Sequence, residues 1–98
     1  MMAAFGRFLF LGKPMKHKLE LFYYDACPYC QLVLRVIDNL NIKVDYKNIL
    51  KDEDNLDRLV NDTGRRTVPC LYIDNKPMFE SADIARWLEQ NQNNLEKN

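Results

Sequence analysis

Residues 27–30, Cys-Pro-Tyr-Cys, lie between an apolar run over residues 19–24 and a helical pattern that begins at Leu32. A C-x-x-C pair between a strand and a helix, in a chain with few cysteines, is typical of a thiol–disulfide site. The first N–H groups of a helix lack partners and its dipole favours negative charge there, so a thiolate is stabilised at that point. We therefore predict that Cys27 is the exposed nucleophile. Cys30, one helical turn further on, is predicted to be the buried resolving thiol.

The bulk composition limits the classes of function. The chain has 98 residues, 47% of them hydrophobic, which suits one domain with one core. Its 14 cationic and 14 anionic side chains give a formal net charge of zero. This balance argues against nucleic acid as a partner, because no excess of cations is present to neutralise phosphate. The three cysteines do not form the pattern of a secreted disulfide framework, so we expect a cytoplasmic, reducing location.

The ends of the chain are expected to lie outside the folded unit. Residues 1–15 are predicted to be a flexible extension, residues 16–92 the domain, and residues 93–98 a frayed tail. The apolar cluster at residues 8–11 is too short to span a bilayer or to serve as a secretory signal, so no membrane partner is expected. A weak organelle or membrane-surface signal is the alternative, since the first segment lacks acidic residues.

The rest of the chain alternates between strand and helix patterns in the order β-α-β-α-β-β-α. The early alternation implies a parallel strand pair, and Asp74-Asn75 predicts a hairpin between the last two strands. We expect an α/β fold with a mixed four-stranded sheet flanked by helices on both faces. The strands are predicted at residues 18–24, 42–49, 68–73 and 76–79. The second helix would bury Leu56, Leu59 and Val60, and Ser81 would be the N-cap of the last helix.

Two further segments could serve the cysteines. Thr67-Val68-Pro69 opens a strand, and an ordinary trans-proline there is one interpretation. The other is a cis-proline loop facing the cysteines, which leaves the Val68 backbone free to pair with an extended peptide. Glu80, Ser81 and Asp83 stand at a helix start that could hold an α-amino-acid head group. Its carboxylate would bind the helix start and its ammonium a side-chain carboxylate.

The remaining candidates each have two interpretations. Arg65 and Arg66 are either a solvated pair or an anion site whose charge also stabilises a nearby thiolate. Cys70 is either a small buried apolar residue or a redox-sensitive third thiol. The cysteines and His17 are suitable zinc ligands, but His17 precedes the first strand, so we predict no metal site.

These motifs resemble a dithiol glutaredoxin over about residues 16–90. C-P-Y-C is the usual active site of that family, and the combination with T-V-P at this distance is specific to it. The resemblance implies a thioredoxin fold, a cis-Pro69, and glutathione as a co-substrate with no tightly bound cofactor. It implies that Cys27 and Cys30 are catalytic and form a redox-active disulfide. The implied glutathione-binding residues are Tyr29, Arg65, Arg66, Thr67, Val68, Pro69, Glu80, Ser81 and Asp83.

The resemblance also implies individual contacts with glutathione. Tyr29 would flank its mixed disulfide with Cys27, Val68 would pair with its cysteinyl backbone, and Ser81 would bind its γ-glutamyl carboxylate. Arg65 or Arg66 would face its glycine carboxylate. Many glutaredoxins have Gly-Gly where this chain has Phe79-Glu80, and a Lys or Arg in place of Tyr24. The Glu80-Ser81 pair is instead similar to the N-terminal domain of glutathione S-transferases, which uses such a pair for the same γ-glutamyl group.

The sequence therefore predicts a glutathione-dependent thiol–disulfide oxidoreductase that acts as a monomer. Its partners would be glutathione and disulfide-containing or glutathionylated proteins. One alternative is an iron–sulfur carrier, with Cys27 and glutathione as ligands across a dimer. Pro28 and Cys30 disfavour it, because carriers usually have a small residue and a serine there. The other alternative is a thioredoxin-like electron donor that does not use glutathione.

Overall fold

A four-stranded mixed sheet forms the middle layer of this computed structural model, which describes residues 16–98. β1 (Leu19–Tyr23) pairs in parallel with β2 (Asp45–Asn48) and antiparallel with β3 (Cys70–Ile73). β4 (Lys76–Met78) completes the sheet by antiparallel pairing with β3, which gives the strand order β2-β1-β3-β4. The prediction of a thioredoxin-like α/β fold with a mixed sheet is confirmed.

Within residues 16–98 three α-helices flank the sheet, namely α1 (Pro28–Leu40), α2 (Glu53–Thr63) and α3 (Ser81–Asn91), and a short 3-10 helix (Gln92–Asn94) follows the last of them. The ends of the first two are marked by residues with left-handed backbone, Asn41 with φ 59° and Gly64 with φ 78°. α2 begins at Asp52, whose side chain accepts a hydrogen bond from the Asp54 N–H at 2.9 Å. Local signals therefore mark these helix bounds, and the tail also contacts Asn41, whose carbonyl accepts from the Asn98 N–H at 3.0 Å.

Side chains alternate along β1 and divide the core between the two faces of the sheet. Leu19 and Leu21 pack against α1 and α3 on one face. Phe22 packs on the other face with Leu59 of α2 and Tyr72 of β3. One strand therefore anchors both layers, and the motif that follows it begins at a fixed edge of the sheet.

Several elements are shorter or more exposed than the sequence predicts. The second strand covers only Asp45–Asn48, because Ile42 forms an isolated bridge with Lys97 instead. The third strand begins at Cys70 rather than at residue 68, since Pro69 has no N–H to give to the ladder. Val60 is 36% exposed, so the buried face of α2 is narrower than expected.

The C-terminal segment is folded onto the domain, and the expectation of a frayed tail at residues 93–98 is wrong. Leu95 is 1% exposed and packs in the cluster formed with α1 and α3. The Lys43 N–H donates to the Glu96 carbonyl at 2.8 Å, which pairs the tail with the segment after α1. The Lys97 ammonium donates to the Leu40 carbonyl at 3.0 Å, where the end of the α1 dipole favours a cation.

No helix within residues 16–98 is long and apolar enough to cross a membrane. The predictions made for residues 1–15, a flexible extension or a weak targeting signal, lie outside the described residues.

Candidate functional site

The two cysteines of the motif lie at the start of α1. Cys27 is the N-cap residue, and its Sγ accepts a hydrogen bond from the Cys30 backbone N–H at 3.2 Å. Pro28 fills the first helical position, where a backbone N–H would have no partner. The Cys27 N–H donates to the Tyr24 carbonyl at 3.3 Å, which closes the turn after β1. The sulfur of Cys27 therefore lies at the end of the helix that favours an anion.

Cys27 is less exposed than the sequence predicts, at 4%, because its sulfur turns inward to cap the helix. Cys30 is fully buried, as predicted. Burial, together with a hydrogen bond to Cys27, raises the pKa of the Cys30 thiol to about 12. Cys30 therefore remains protonated at neutral pH, which suits a thiol that acts second.

A cleft of about 260 Å³ brings together six of the predicted binding residues. The Val68–Pro69 peptide bond is cis, as the resemblance implies. Within the described part of the chain, no hydrogen bond engages the backbone of Val68, so an extended ligand could pair with it. The lining consists of Tyr29, Thr67, Val68, Pro69, Glu80 and Ser81.

The start of α3 forms one wall of this cleft. Glu80, with φ 74° and ψ 113°, is the N-cap residue, so the prediction that Ser81 caps the helix is wrong. Ser81 is instead the first helical residue, and no side chain caps α3. The N–H groups of the first turn therefore lack a side-chain partner, and an anion in the cleft could bind them.

Three predicted binding residues lie outside the cleft lining. Asp83 is exposed and pairs with Arg86 at 3.0 Å. The Arg65 guanidinium stacks on the ring of Phe79, with Cζ 4.0 Å from the ring centroid. Arg66 is exposed, so its side chain fits the solvated interpretation.

Cys70 and His17 lie apart from the reactive motif. Cys70 is fully buried, and burial raises its pKa to about 12, which agrees with the apolar interpretation. His17 bonds to Asp74 and contacts the Trp87 ring edge-on, with centroids 5.5 Å apart. β1 separates His17 from the motif by roughly 17 Å. Within residues 16–98 no group of three side chains suited to a metal ion is found.

Two polar contacts that sequence reasoning missed lie at the loop before the motif. The Gln31 amide donates to the Asp25 carbonyl at 2.7 Å, and the Lys51 ammonium lies 3.7 Å from the Asp25 carboxylate. Parallel pairing of β1 and β2 places their carboxyl ends side by side and so brings residues 25 and 51 together. No local sequence pattern shows this contact.

A comparison with protein families agrees with the fold. Residues 21–96 match the model of the family described as glutathione S-transferase, N-terminal domain. The chain belongs to this family. A search of curated proteins returns no match.

Solved structures are similar to this transferase-family domain. A glutathione transferase homolog from Drosophila mojavensis, with bound glutathione, is 22% identical with a TM-score of 0.67. The match covers 78% of this chain and 36% of the Drosophila protein. A trimeric glutathione transferase from Leishmania is 29% identical with a TM-score of 0.63. The match covers 74% of this chain and 16% of the Leishmania protein. A buckwheat glutaredoxin–glutathione complex is 24% identical with a TM-score of 0.60. The match covers 76% of this chain and 70% of the buckwheat protein. The chain therefore spans 36% or less of these two transferases.

Proposed function

We propose that this transferase-family domain is a glutathione-dependent thiol–disulfide oxidoreductase of the dithiol glutaredoxin type. The observation that carries the proposal is the reactive end of α1. Cys27 caps this helix, Tyr29 of the same turn lines the cleft, and the cleft also contains the Val68 backbone and the uncapped start of α3. The resemblance of the C-P-Y-C and T-V-P motifs to glutaredoxins supports the same activity.

Glutathione would lie in the cleft with its cysteine against Val68. The backbone N–H and C=O of Val68 would pair with the cysteinyl unit, as one strand pairs with another. The start of α3 and the Ser81 hydroxyl would bind the γ-glutamyl carboxylate, and the Glu80 carboxylate would bind the ammonium. Asp83, already paired with Arg86, would contribute only long-range charge.

The reaction with a glutathione mixed disulfide needs one protein thiol. The Cys27 thiolate attacks the glutathione sulfur, a bond forms between these sulfurs, and the target thiolate leaves and takes up a proton. A second glutathione thiolate then attacks the glutathione sulfur bound to Cys27. Oxidised glutathione is released and the Cys27 thiolate is restored.

Reduction of a protein disulfide uses both cysteines. The Cys27 thiolate attacks one target sulfur, the target disulfide breaks, and the other target sulfur leaves as a thiolate and takes up a proton. Cys30 then gives up its proton and attacks the sulfur of Cys27, which releases the second target thiolate. The Cys27–Cys30 disulfide that remains is reduced by two molecules of glutathione. Because the pKa of Cys30 is raised to about 12, its proton must leave as it attacks.

Turnover of a small glutathione mixed disulfide, coupled to glutathione reductase, tests the proposal together with a protein-disulfide assay. Cys27→Ser should reduce both activities to background, because no other residue supplies the nucleophile. Cys30→Ser should keep or raise activity on the small substrate and lose most activity on the protein disulfide. Cys70→Ala is the matched control, since this buried thiol lies outside both cycles.

Three outcomes would contradict this mechanism. Turnover by the Cys27→Ser variant would remove Cys27 as nucleophile, and equal losses in both assays for Cys30→Ser would make Cys30 essential in every cycle. Reduction by thioredoxin reductase, with no response to glutathione, would favour a thioredoxin-like electron donor. The protein partners, the monomeric state and the cytoplasmic location stay predictions of the sequence.

A further inference from the structure

β2 forms one edge of the sheet, and its outer side is open. It is the first strand in the order β2-β1-β3-β4, and among residues 16–98 no strand pairs with that side. The C-terminal tail pairs with Ile42 and Lys43, before the strand begins. At the other end of the strand the Asn48 carbonyl accepts a hydrogen bond from the Asn55 side chain at 3.1 Å. The open part of the edge is therefore centred on Tyr46, and an open edge is a template for pairing with another strand.

The backbone groups of Tyr46 point to this open side. The Ile49 N–H donates to the Tyr23 carbonyl at 2.9 Å, which shows which residues of this segment face β1. Successive residues of a strand direct their N–H and C=O groups to opposite sides. Asp45 and Lys47 therefore face β1, as Ile49 does, and Tyr46 between them faces outward.

The opposite edge of the sheet is protected, and the edge at β2 is not. β4 covers only Lys76–Met78, and its central residue, Pro77, has no N–H to donate. β2 contains no proline, and its Tyr46 is 48% exposed. The Tyr46 ring contacts the Tyr23 ring edge-on, with centroids 5.9 Å apart. An exposed aromatic surface therefore lies beside the open edge.

The side chains of β2 are complementary to those of a second copy of the same strand. When two copies pair antiparallel with their Tyr46 residues opposite each other, Asp45 of each copy lies opposite Lys47 of the partner subunit. Opposite charges and aromatic rings in such positions stabilise neighbouring strands. A register centred on Asp45 or on Lys47 would instead place like charges opposite each other. The charge pattern therefore selects one register, and it is the register that a two-fold dimer can use.

We propose that two copies of this chain associate through β2, with Tyr46 at the two-fold axis, and so join their four-stranded sheets into one. The N–H and C=O of Tyr46 would exchange two hydrogen bonds with those of the partner's Tyr46. The strands of the two copies run in opposite directions, so the two Cys27 ends point away from each other and both clefts stay open. The inference does not depend on the proposed function, and it replaces the monomer that the sequence predicts.

Sedimentation equilibrium of the full chain, with a reductant present to exclude disulfides between chains, tests this interface. The open edge is short, so we expect a weak dimer that forms between about 10 µM and 1 mM. Over that range the average mass of the wild type should rise from that of one chain towards that of two. Asp45→Lys should raise the dissociation constant about tenfold, because it turns both attractive pairs into repulsive ones. Glu89→Lys makes the same change of charge at an exposed site on α3 and should associate like the wild type.

A mixture of two charge variants tests the register. The Asp45→Lys chain has only cations at the two positions, and the Lys47→Glu chain has only anions. Neither should pair with itself, but each is complementary to the other, so the mixture should associate about as tightly as the wild type. Because Lys47 lies 4.0 Å from the buried Glu20 carboxylate, urea unfolding checks that Lys47→Glu is folded.

The backbone contact has its own variant, which is independent of charge. Tyr46→Pro removes an N–H that faces outward, leaves the hydrogen bonds to β1 in place, and should weaken the dimer at least about tenfold. In the wild type, hydrogen exchange at the Tyr46 N–H should be fast at the lowest concentration and slow at the highest. If Lys47→Glu does not fold, Asp45→Lys and Tyr46→Pro still decide the outcome.

Four results would overturn the proposal. A wild type that stays monomeric over the whole range excludes the dimer. A dimer that survives both Asp45→Lys and Tyr46→Pro uses another surface. A mixture of folded charge variants that associates no better than its components excludes the register. Protection of the Tyr46 N–H at the lowest concentration would mean that the chain covers this edge itself.

Discussion

Glu80 has a backbone conformation, φ 74° and ψ 113°, that residues other than glycine adopt at a cost of about 1–3 kcal/mol. It joins β4 to α3 and lines the cleft. Such a conformation persists where the surrounding structure holds it, and it is often found at functional sites. A carboxylate that binds the ammonium of a ligand would give this residue a function that glycine lacks.

Replacement of Glu80 separates the backbone effect from the carboxylate effect. Glu80→Gly should give a free energy of unfolding about 1 kcal/mol higher than that of Glu80→Ala, because glycine adopts this conformation without a Cβ penalty. Both variants lose the carboxylate, so both should raise KM for glutathione by a similar factor. Urea unfolding and steady-state kinetics on the same preparations measure the two effects.

Ser81→Ala is the matched control for Glu80. Because Ser81 does not cap α3, its replacement should change the free energy of unfolding by less than about 0.5 kcal/mol while raising KM for glutathione. Equal stability of Glu80→Ala and Glu80→Gly would show that the conformation carries no strain. An unchanged KM in all three variants would place the γ-glutamyl site elsewhere.

At the scale of secondary-structure elements, an ion pair between a buried carboxylate and a partly exposed arginine attaches α2 to the sheet. Glu20 of β1, 3% exposed, accepts hydrogen bonds from the Arg58 guanidinium at 2.8 and 3.1 Å. The same guanidinium lies over the Tyr72 ring, 4.6 Å from its centroid, and donates to Asn75 at 3.2 Å. One side chain of α2 therefore contacts β1, β3 and the hairpin turn.

Removal of one partner should destabilise the domain strongly. Arg58→Leu removes both hydrogen bonds to the Glu20 carboxylate and leaves it only the more distant Lys47, at 4.0 Å, so it should lower the free energy of unfolding by about 1.5–3 kcal/mol. The double variant Glu20→Leu with Arg58→Leu should recover most of this loss, because it leaves no buried charge. Urea unfolding measures both. Arg86→Leu breaks the exposed pair with Asp83 and is the control, with a change below about 1 kcal/mol.

The same ion pair predicts that the free energy of unfolding depends on pH in the acidic range. The hydrogen bond from Arg58, opposed by burial, holds the pKa of Glu20 below its ordinary value of 4.5. A group whose pKa is lower in the folded state stabilises the fold at pH values above its unfolded-state pKa. This contribution is lost as the pH falls through its folded-state pKa. The double leucine variant should therefore lose stability less steeply below pH 4.5 than the wild type. A cost of less than about 1 kcal/mol for Arg58→Leu would contradict the role of the pair.

Local signals in the sequence predict most of these elements. Asn41 and Gly64 end α1 and α2, and Asp74 and Asn75 form the hairpin turn with φ 52° and 72°. The predicted Ser81 cap is wrong because a preference for serine says nothing of the backbone direction that β4 imposes. The tail is folded because Leu95 fits between α1 and α3, a tertiary contact that a polar segment does not reveal.

The candidate site could be predicted only in part. The cysteines and the proline loop form short motifs, so their proximity follows from the fold that those motifs imply. The stacking of Arg65 on Phe79 depends on side-chain conformations and on the spacing between α2 and α3. A sequence with two adjacent arginines does not show which of them stacks.

At the scale of the whole molecule, three titratable groups in the described part of the core are fully buried and stay neutral. Cys30, Cys70 and Tyr72 are all fully buried, and together they lie on α1 and β3. Burial raises the pKa of Cys30 and of Cys70 from 9.0 to about 12. Burial also raises the pKa of Tyr72, whose hydroxyl donates to Asp62 at 2.9 Å. The folded state therefore holds these protons at pH values where the unfolded chain has released them.

This difference predicts that the reduced domain loses stability in alkali. A thiol whose pKa is higher in the folded state stabilises the fold fully at pH values below its unfolded-state pKa, which is near 9. This contribution is lost as the pH rises towards the folded-state pKa of about 12. Each buried thiol should add about 1.4 kcal/mol per pH unit to the fall in the free energy of unfolding over that range. Cys70→Ala should make the slope shallower by that amount, whatever the absolute cost of the smaller side chain.

Urea unfolding at several pH values, with a reductant present, gives the slopes of the wild type and of Cys70→Ala. Val60→Ala serves as a control that removes no titratable group. Identical slopes for the wild type and Cys70→Ala would mean that Cys70 ionises as easily in the folded domain as in the unfolded chain.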